Sequence, residues 1–164
     1  MKNIDPKTIE GFGRKWSSFD QNRLSDEDKS KIFDDYFHVF PWDKLSSNAV
    51  GIDVGSGSGR WAQGVAPRVG HLHLVDASQD ALQISKNNLS LSGNCSFHHA
   101  SVGDLPFSDN SLDFAYSLGI LHHVPDTANA IRVMAKNLKQ GSPFLVYLYY
   151  AFDSRPLWFR MVWG

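Results

Sequence analysis

From residue 49 onward the chain alternates short apolar runs with segments of helical spacing, and that alternation admits few architectures. Strands joined only through helices lie parallel, because a parallel pair needs a crossover of about a dozen residues or more. The apolar runs predict strands over Ala49–Val54, His71–Val75, Ser96–Ala100, Leu112–Ser117 and Ser142–Tyr150. Helices are predicted between them at Gly59–Pro67, Gln79–Leu91 and Thr127–Leu138, with Ser78 and Asp126 as N-caps and Gly93 and Gly141 as stops. The expected class is α/β, an open three-layer sheet. Before residue 49 no strand-like run occurs. Instead Ser25-Asp26-Glu27-Asp28 offers an N-cap with carboxylates at the positive end of a helix dipole, and Ile32, Phe33, Tyr36, Phe37 and Phe40 recur at helical spacing until Pro41. One helix is predicted there, over residues 26–39.

The first strand runs into Gly55-Ser56-Gly57-Ser58-Gly59-Arg60, a glycine-dense turn followed by a helix. Glycines let the backbone approach a ligand closely, and the helix start turns free amides toward it. Alone this is a weak signal. Asp76, which ends the second strand 76 − 55 = 21 residues beyond the first loop glycine, strengthens it, since an acid at that place accepts both hydroxyls of a ribose. Two nucleoside ligands fit, a nicotinamide or flavin dinucleotide and S-adenosylmethionine. Dinucleotide loops favour G-x-G-x-x-G, whereas residue 60 here is Arg and the glycines fall at 55, 57 and 59.

Asp53-Val54-Gly55-Ser56-Gly57-Ser58-Gly59, Asp76, Gly103-Asp104-Leu105-Pro106-Phe107 before Asp113-Phe114-Ala115-Tyr116-Ser117, and Leu121-His122-His123-Val124-Pro125-Asp126 together resemble the successive motifs of class I S-adenosylmethionine-dependent methyltransferases. The likeness is to the broad type 11 group that includes ubiquinone- and menaquinone-biosynthesis enzymes, and it covers about residues 49–150. Leu138-Lys139-Gln140-Gly141-Ser142 is similar to the family's L-K-P-G-G turn, with Gln140 and Ser142 as departures. The resemblance implies a Rossmann-like sheet in the order 3-2-1-4-5, with the ligand over the C-terminal ends of strands 1 and 4.

It also implies roles. Gly55, Ser56, Gly57 and Gly59 would approach the methionine and ribose parts of the cofactor, with Asp53 organising the loop near its amino group. Asp76, with Ala77 beside it, would hold the ribose hydroxyls. Asp104 and the amide of Leu105 would read the adenine edge, and Ser117 and Leu118 would line the methionine end. His122 and His123 follow the fourth strand and are the candidate bases for a hydroxyl or phenol acceptor. Phe12, Trp16 and Phe19, ahead of the first helix, are lid candidates. S-Adenosylmethionine would leave as S-adenosylhomocysteine and the acceptor would be a small molecule. The rival readings are a nicotinamide-dependent oxidoreductase and a nucleoside-binding module without turnover.

Composition bounds the remaining possibilities. The 164 residues fit one domain of ordinary size, and Lys+Arg minus Asp+Glu is 16 − 17 = −1, so no cationic excess recommends a nucleic-acid partner. Cys95 is the one cysteine, which reads as a reducing, cytoplasmic setting. The longest apolar run, Phe144 to Phe152, falls short of the roughly 20 residues of a membrane span. His71 and His73 share a strand face, yet no carboxylate stands at a companion spacing, and no metal is expected. The chain thus divides into a helical segment at 1–48, a cofactor-binding core at 49–150 and an aromatic tail at 151–164. The resemblance implies two further strands beyond the fifth, so the tail is expected to be truncated and covered by more chain or by a second copy.

Overall fold

The computed structural model describes residues 2–6 and 25–149. Helix α1 (Asp26–Phe37) starts at Ser25, whose hydroxyl accepts the Asp28 N–H at 3.1 Å. It ends short of the predicted residue 39, as the chain turns through residues 38–40 to seat Phe40 in the core. After strand β1 (Val50–Val54) comes a short helix, α2 (Ala62–Val65), which tightens into a 3-10 turn at Ala66–Arg68. A helix from Gly59 is not formed, because Gly55, Gly57 and Gly59 all take positive φ, which a right-handed helix excludes.

Strand β2 (His71–Asp76) leads to α3 (Gln79–Asn88), capped by Ser78. That helix stops at Leu89, before the predicted Leu91, and Gly93 lies in the following turn rather than at its end. Strand β3 (Cys95–His99) and strand β4 (Phe114–Leu118) follow, with Leu112 reduced to an isolated bridge to Leu138. Helix α4 (Thr127–Asn137) begins where the Asp126 carboxylate accepts the Asn129 N–H at 2.8 Å, and Gly141 turns the chain, with φ 80°, toward β5 (Phe144–Tyr147).

All four strand pairings are parallel, and the order is β3-β2-β1-β4-β5. This is the expected Rossmann-like sheet. Asp113 pins its centre, taking the Val50 N–H on Oδ2 at 2.8 Å and the Lys139 ammonium on Oδ1 at 2.7 Å. One face carries α1 and α2, with Phe33, Phe37, Phe40, Val65, Leu74, Phe114 and Tyr116 in its core. The other carries α4, with Ile52, Val54, Val75, Leu121 and Met134. A side chain such as Phe37, 2% exposed, contributes about 1.5–3 kcal/mol by leaving water. Gly51 is required by the same packing, because a Cβ there would meet the Phe114 ring at 2.2 Å. No described helix is long and apolar enough to cross a membrane.

Candidate active site at the sheet's switch point

The strand order reverses between β1 and β4, and the loops leaving those strands open a cleft. Its first part is an apolar slot walled by Val54, Val75, Ala100, Val102 and Leu121, with Asp76 and Ala77 at its base. Asp76 accepts the Gly57 N–H on Oδ2 and the Ser78 N–H on Oδ1, each at 2.8 Å. One carboxylate therefore ties the glycine loop to the start of α3. Burial pushes its pKa up, and the hydrogen bonds from Ser78 and Gly57 pull it back. The loop's geometry depends on glycine. A Cβ on Gly55, φ 76°, would stand 2.6 Å from the Ile120 side chain, and one on Gly59 would stand 2.7 Å from Ser85 Oγ.

Asp53 lies directly behind this loop, opposite Tyr116 across the β1–β4 pairing, and is wholly buried. Desolvation raises its pKa to about 8, so the carboxyl is protonated at neutral pH. Ser56 also lines the cleft, while its hydroxyl is buried and has no hydrogen-bond partner among the described residues. Leu118 also reaches the cleft, but Ser117 does not. Its hydroxyl donates to the Val54 carbonyl at 2.8 Å inside the sheet, which makes it a brace between β1 and β4.

Asp104 sits at the rim rather than in the wall, 3.8 Å from the Lys2 ammonium, while Ser101 and Val102 form the wall itself and Leu105 packs into the core beneath. Residues 2–5 were not foreseen as part of the site. The Ser101 hydroxyl donates to the Lys2 carbonyl at 2.6 Å, and Asn3 exchanges two hydrogen bonds with the Asp126 backbone, at 2.7 and 2.8 Å. The segment thereby bridges the two loops across the slot. Gly103 admits it, since a Cβ there would stand 2.5 Å from the Lys2 carbonyl oxygen.

Gly55, Ile120 and His123 line both this slot and a second, wider chamber of about 380 Å³. His122 packs on His123 with ring centroids 3.9 Å apart and on Tyr149 at 4.6 Å. Burial, then the neighbouring His123, lowers the His122 pKa, and neither of its ring nitrogens has a hydrogen-bond partner among the described residues. The chamber's far wall is Tyr36, Arg60, Trp61, Tyr147 and Tyr149. Periodicity had marked Tyr36 only as a core residue, and Arg60 only as a departure from a dinucleotide loop. The remaining histidine cluster is elsewhere: His73 Nδ1 lies 3.0 Å from His98 Nε2 on the β2–β3 edge. Among the described residues no three His, Cys, Asp or Glu side chains converge as metal ligands. Phe12, Trp16, Phe19 and the 151–164 tail lie outside the described residues.

A parallel sheet with an acid-anchored glycine loop at its switch point defines the nucleoside-binding α/β class. Residues 52–146, more than half of the chain, match the family model of the methyltransferase domain, and the chain belongs to that family. This membership speaks against the oxidoreductase reading. The chain is 31% identical over 102 residues to the uncharacterised methyltransferase YcgJ of Bacillus subtilis, an alignment covering 61% of this chain and 40% of that protein. It is 34% identical over 92 residues to a ubiquinone biosynthesis O-methyltransferase of Alkalilimnicola ehrlichii, covering 55% and 37% respectively. The crystal structure of YcgJ superposes with a TM-score of 0.64 at 25% identity, over 75% of this chain and 50% of that one. A structure from Methanococcus maripaludis, described as a methyltransferase dependent on S-adenosylmethionine, gives a TM-score of 0.70 at 19% identity, over 98% and 78%. The chain spans less than half the length of the curated relatives it matches.

Proposed function

We propose that this chain carries the S-adenosylmethionine site of a methyltransferase that acts on a small-molecule acceptor, with residues 49–150 as the cofactor-binding core and the segment before them as its cover. The observation that carries the reading is the Asp76 carboxylate at the base of the cleft, clamped to the amides of Gly57 and Ser78. The names of relatives such as the ubiquinone O-methyltransferase support a small acceptor. The residues suit the cofactor. Each Asp76 oxygen keeps a lone pair for a ribose hydroxyl beyond the one its backbone amide uses, and the positive-φ glycines leave room for a flat ligand.

In this reading Gly55, Ser56, Gly57 and Gly59 border the methionine portion and Ala77 floors the ribose. Ser101, Val102 and Leu105 flank the adenine, and Asp104 closes the rim. S-Adenosylmethionine supplies a sulfonium-bound methyl group, so the acceptor atom has only to be held in line with the carbon–sulfur bond. The chain's own part is to exclude water and orient that atom. His123, at the waist between slot and chamber, is placed to take the acceptor's proton, and His122, neutral because burial disfavours its cation, backs it. The single cysteine, Cys95, suits a reducing cytoplasm.

The test is calorimetric titration with S-adenosylhomocysteine, NAD and NADP. Binding of the first alone is expected. Preference for either dinucleotide would overturn the proposal, and binding without methyl-donor consumption in a cell extract would leave a nucleoside-binding module in its place.

A further inference from the structure

Outside the cleft, β2 and β3 bring three imidazoles onto one face of the sheet. His71 and His73 alternate with the buried Leu72 and Leu74, and the register sets Ser96 and His98 beside them on β3. His73 Nδ1 lies 3.0 Å from His98 Nε2, His71 meets His73 edge on with ring centroids 4.7 Å apart, and His71 Nε2 lies 2.9 Å from Ser96 Oγ. Phe107, from the loop ahead of β4, packs on His73 at 4.8 Å and on His98 at 5.3 Å and brings no charge. Among the described residues no carboxylate pairs with any of the three histidines.

The His73–His98 contact holds one proton between its two rings and excludes a second. While one facing nitrogen donates, the other accepts. Two imidazolium rings would set N–H against N–H, with like charges across the same 3.0 Å. Burial, then His71 and His98, lowers the His73 pKa to about 4, and burial, then His71, lowers that of His98. Both lie below the ordinary imidazole value, so acid favours any arrangement that gives the rings to water. The fold offers one. β3 is an edge strand bonded to β2 alone, and none of its five residues is fully buried. The same strand ends carry the nucleoside slot. The Asp76 carbonyl accepts the Ala100 N–H at 3.1 Å, His99 Nε2 lies 3.0 Å from the Ala77 carbonyl, and Val75 to Ala77 face Ala100 to Val102 in the slot wall. Parting β3 from β2 therefore opens the slot.

Resting on the methyltransferase reading, we propose that the His73–His98 pair is an acid-operated latch: on acidification it releases β3 from β2, and the nucleoside slot between the ends of those strands lets go of its ligand. The coupling runs both ways. A ligand that needs both walls of the slot holds the latch shut, and protons taken up at the pair expel the ligand.

The experiment follows backbone hydrogen exchange of the full chain by NMR at pH 7.5 and pH 5.5, each amide corrected for its intrinsic rate. A released imidazole titrates near 6.5 and the latched His73 at about 4, so the opening constant at the β3 amides bonded to β2 should rise about ten-fold between the two conditions. Those amides should be less protected than the β4 amides throughout, since β3 opens without β4. S-Adenosylhomocysteine at about ten times its dissociation constant should raise β3 protection about ten-fold. His73→Gln combined with His98→Gln, which takes up no proton at the pair, should lose the pH response and keep the response to S-adenosylhomocysteine. If that double variant does not fold, His73→Gln alone should reduce the pH response. A parental pH response in whichever variant folds overturns the proposal, and so does equal exchange of β3 and β4. Binding of S-adenosylhomocysteine without added β3 protection overturns it too, because edge and slot are then uncoupled. A parent that binds no S-adenosylhomocysteine by calorimetry at pH 7.5 removes the methyltransferase reading itself, and this inference with it.

Discussion

Asp53 and Tyr116 stand opposite one another across β1 and β4, both wholly buried, and their polar ends face each other without the geometry of a full hydrogen bond. The sheet holds them there because Ile52 and Ala115, one residue back, pack on the opposite face, and side chains alternate along a strand. The low dielectric around the pair keeps the Asp53 carboxyl neutral until about pH 8.

A stability profile follows from that value. The folded pKa of about 8 exceeds the ordinary 3.8, so between these limits the folded chain binds the extra proton. Stability contributed by the neutral carboxyl is full below about pH 4 and is lost as pH rises toward 8. Asp53→Asn, which cannot ionise, should show a shallower decline in urea midpoint between pH 5 and pH 8 than the parent. Equal slopes would mean that Asp53 is already ionised in the folded chain.

The β2–β3 edge should respond in the other direction. Desolvation, with His71 and His98 adding to it, lowers the His73 pKa to about 4 from an ordinary 6.5. Between those values the unfolded chain binds the proton, so this contribution is present above about pH 6.5 and is lost as pH falls to 4. An NMR titration should place the His73 midpoint below that of a free imidazole, and His73→Asn should reduce the fall in melting temperature on acidification. A His73 midpoint at 6.5 would show that the His73–His98 contact does not persist in solution.

Asp76 ties two backbone segments together, so its replacements should separate charge from shape. Asp76→Ala removes the acceptor of both the Gly57 and Ser78 amides and should weaken S-adenosylhomocysteine binding by about 1–3 kcal/mol. Asp76→Asn should recover little, since its amide can accept from one N–H and turns an NH2 toward the other. Calorimetry reads both variants, and parental affinity in Asp76→Ala would rule out a ribose-holding carboxylate.

Glycine substitutions test the loop by a different route. Gly55→Ala combines left-handed backbone strain with a Cβ 2.6 Å from Ile120, whereas Gly119→Ala, at φ 77° with open space around it, carries the strain alone. The first should cost about 2–4 kcal/mol in urea unfolding and the second about 1–2. Equal losses would indicate that Ile120 moves aside, and so that the waist of the cleft is compliant.

The order of strands and helices, the caps at Ser25, Ser78 and Asp126, and the glycine loop ahead of an acid were all legible in the sequence by itself. Each is decided within a few residues, by side-chain period, by a hydroxyl or carboxylate reaching a nearby amide, or by a φ that only glycine takes readily. The tertiary structure alone decided which distant side chains share a wall. It set Tyr36 against both Trp61 and Tyr147, carried Lys2 and Asn3 across to Ser101 and Asp126, and turned Ser117 into the sheet instead of the cleft. It also left Asp53 protonated. Those outcomes depend on strand register, on how α1 docks against the sheet and on how far water is excluded, and none of these has a local signature in the chain.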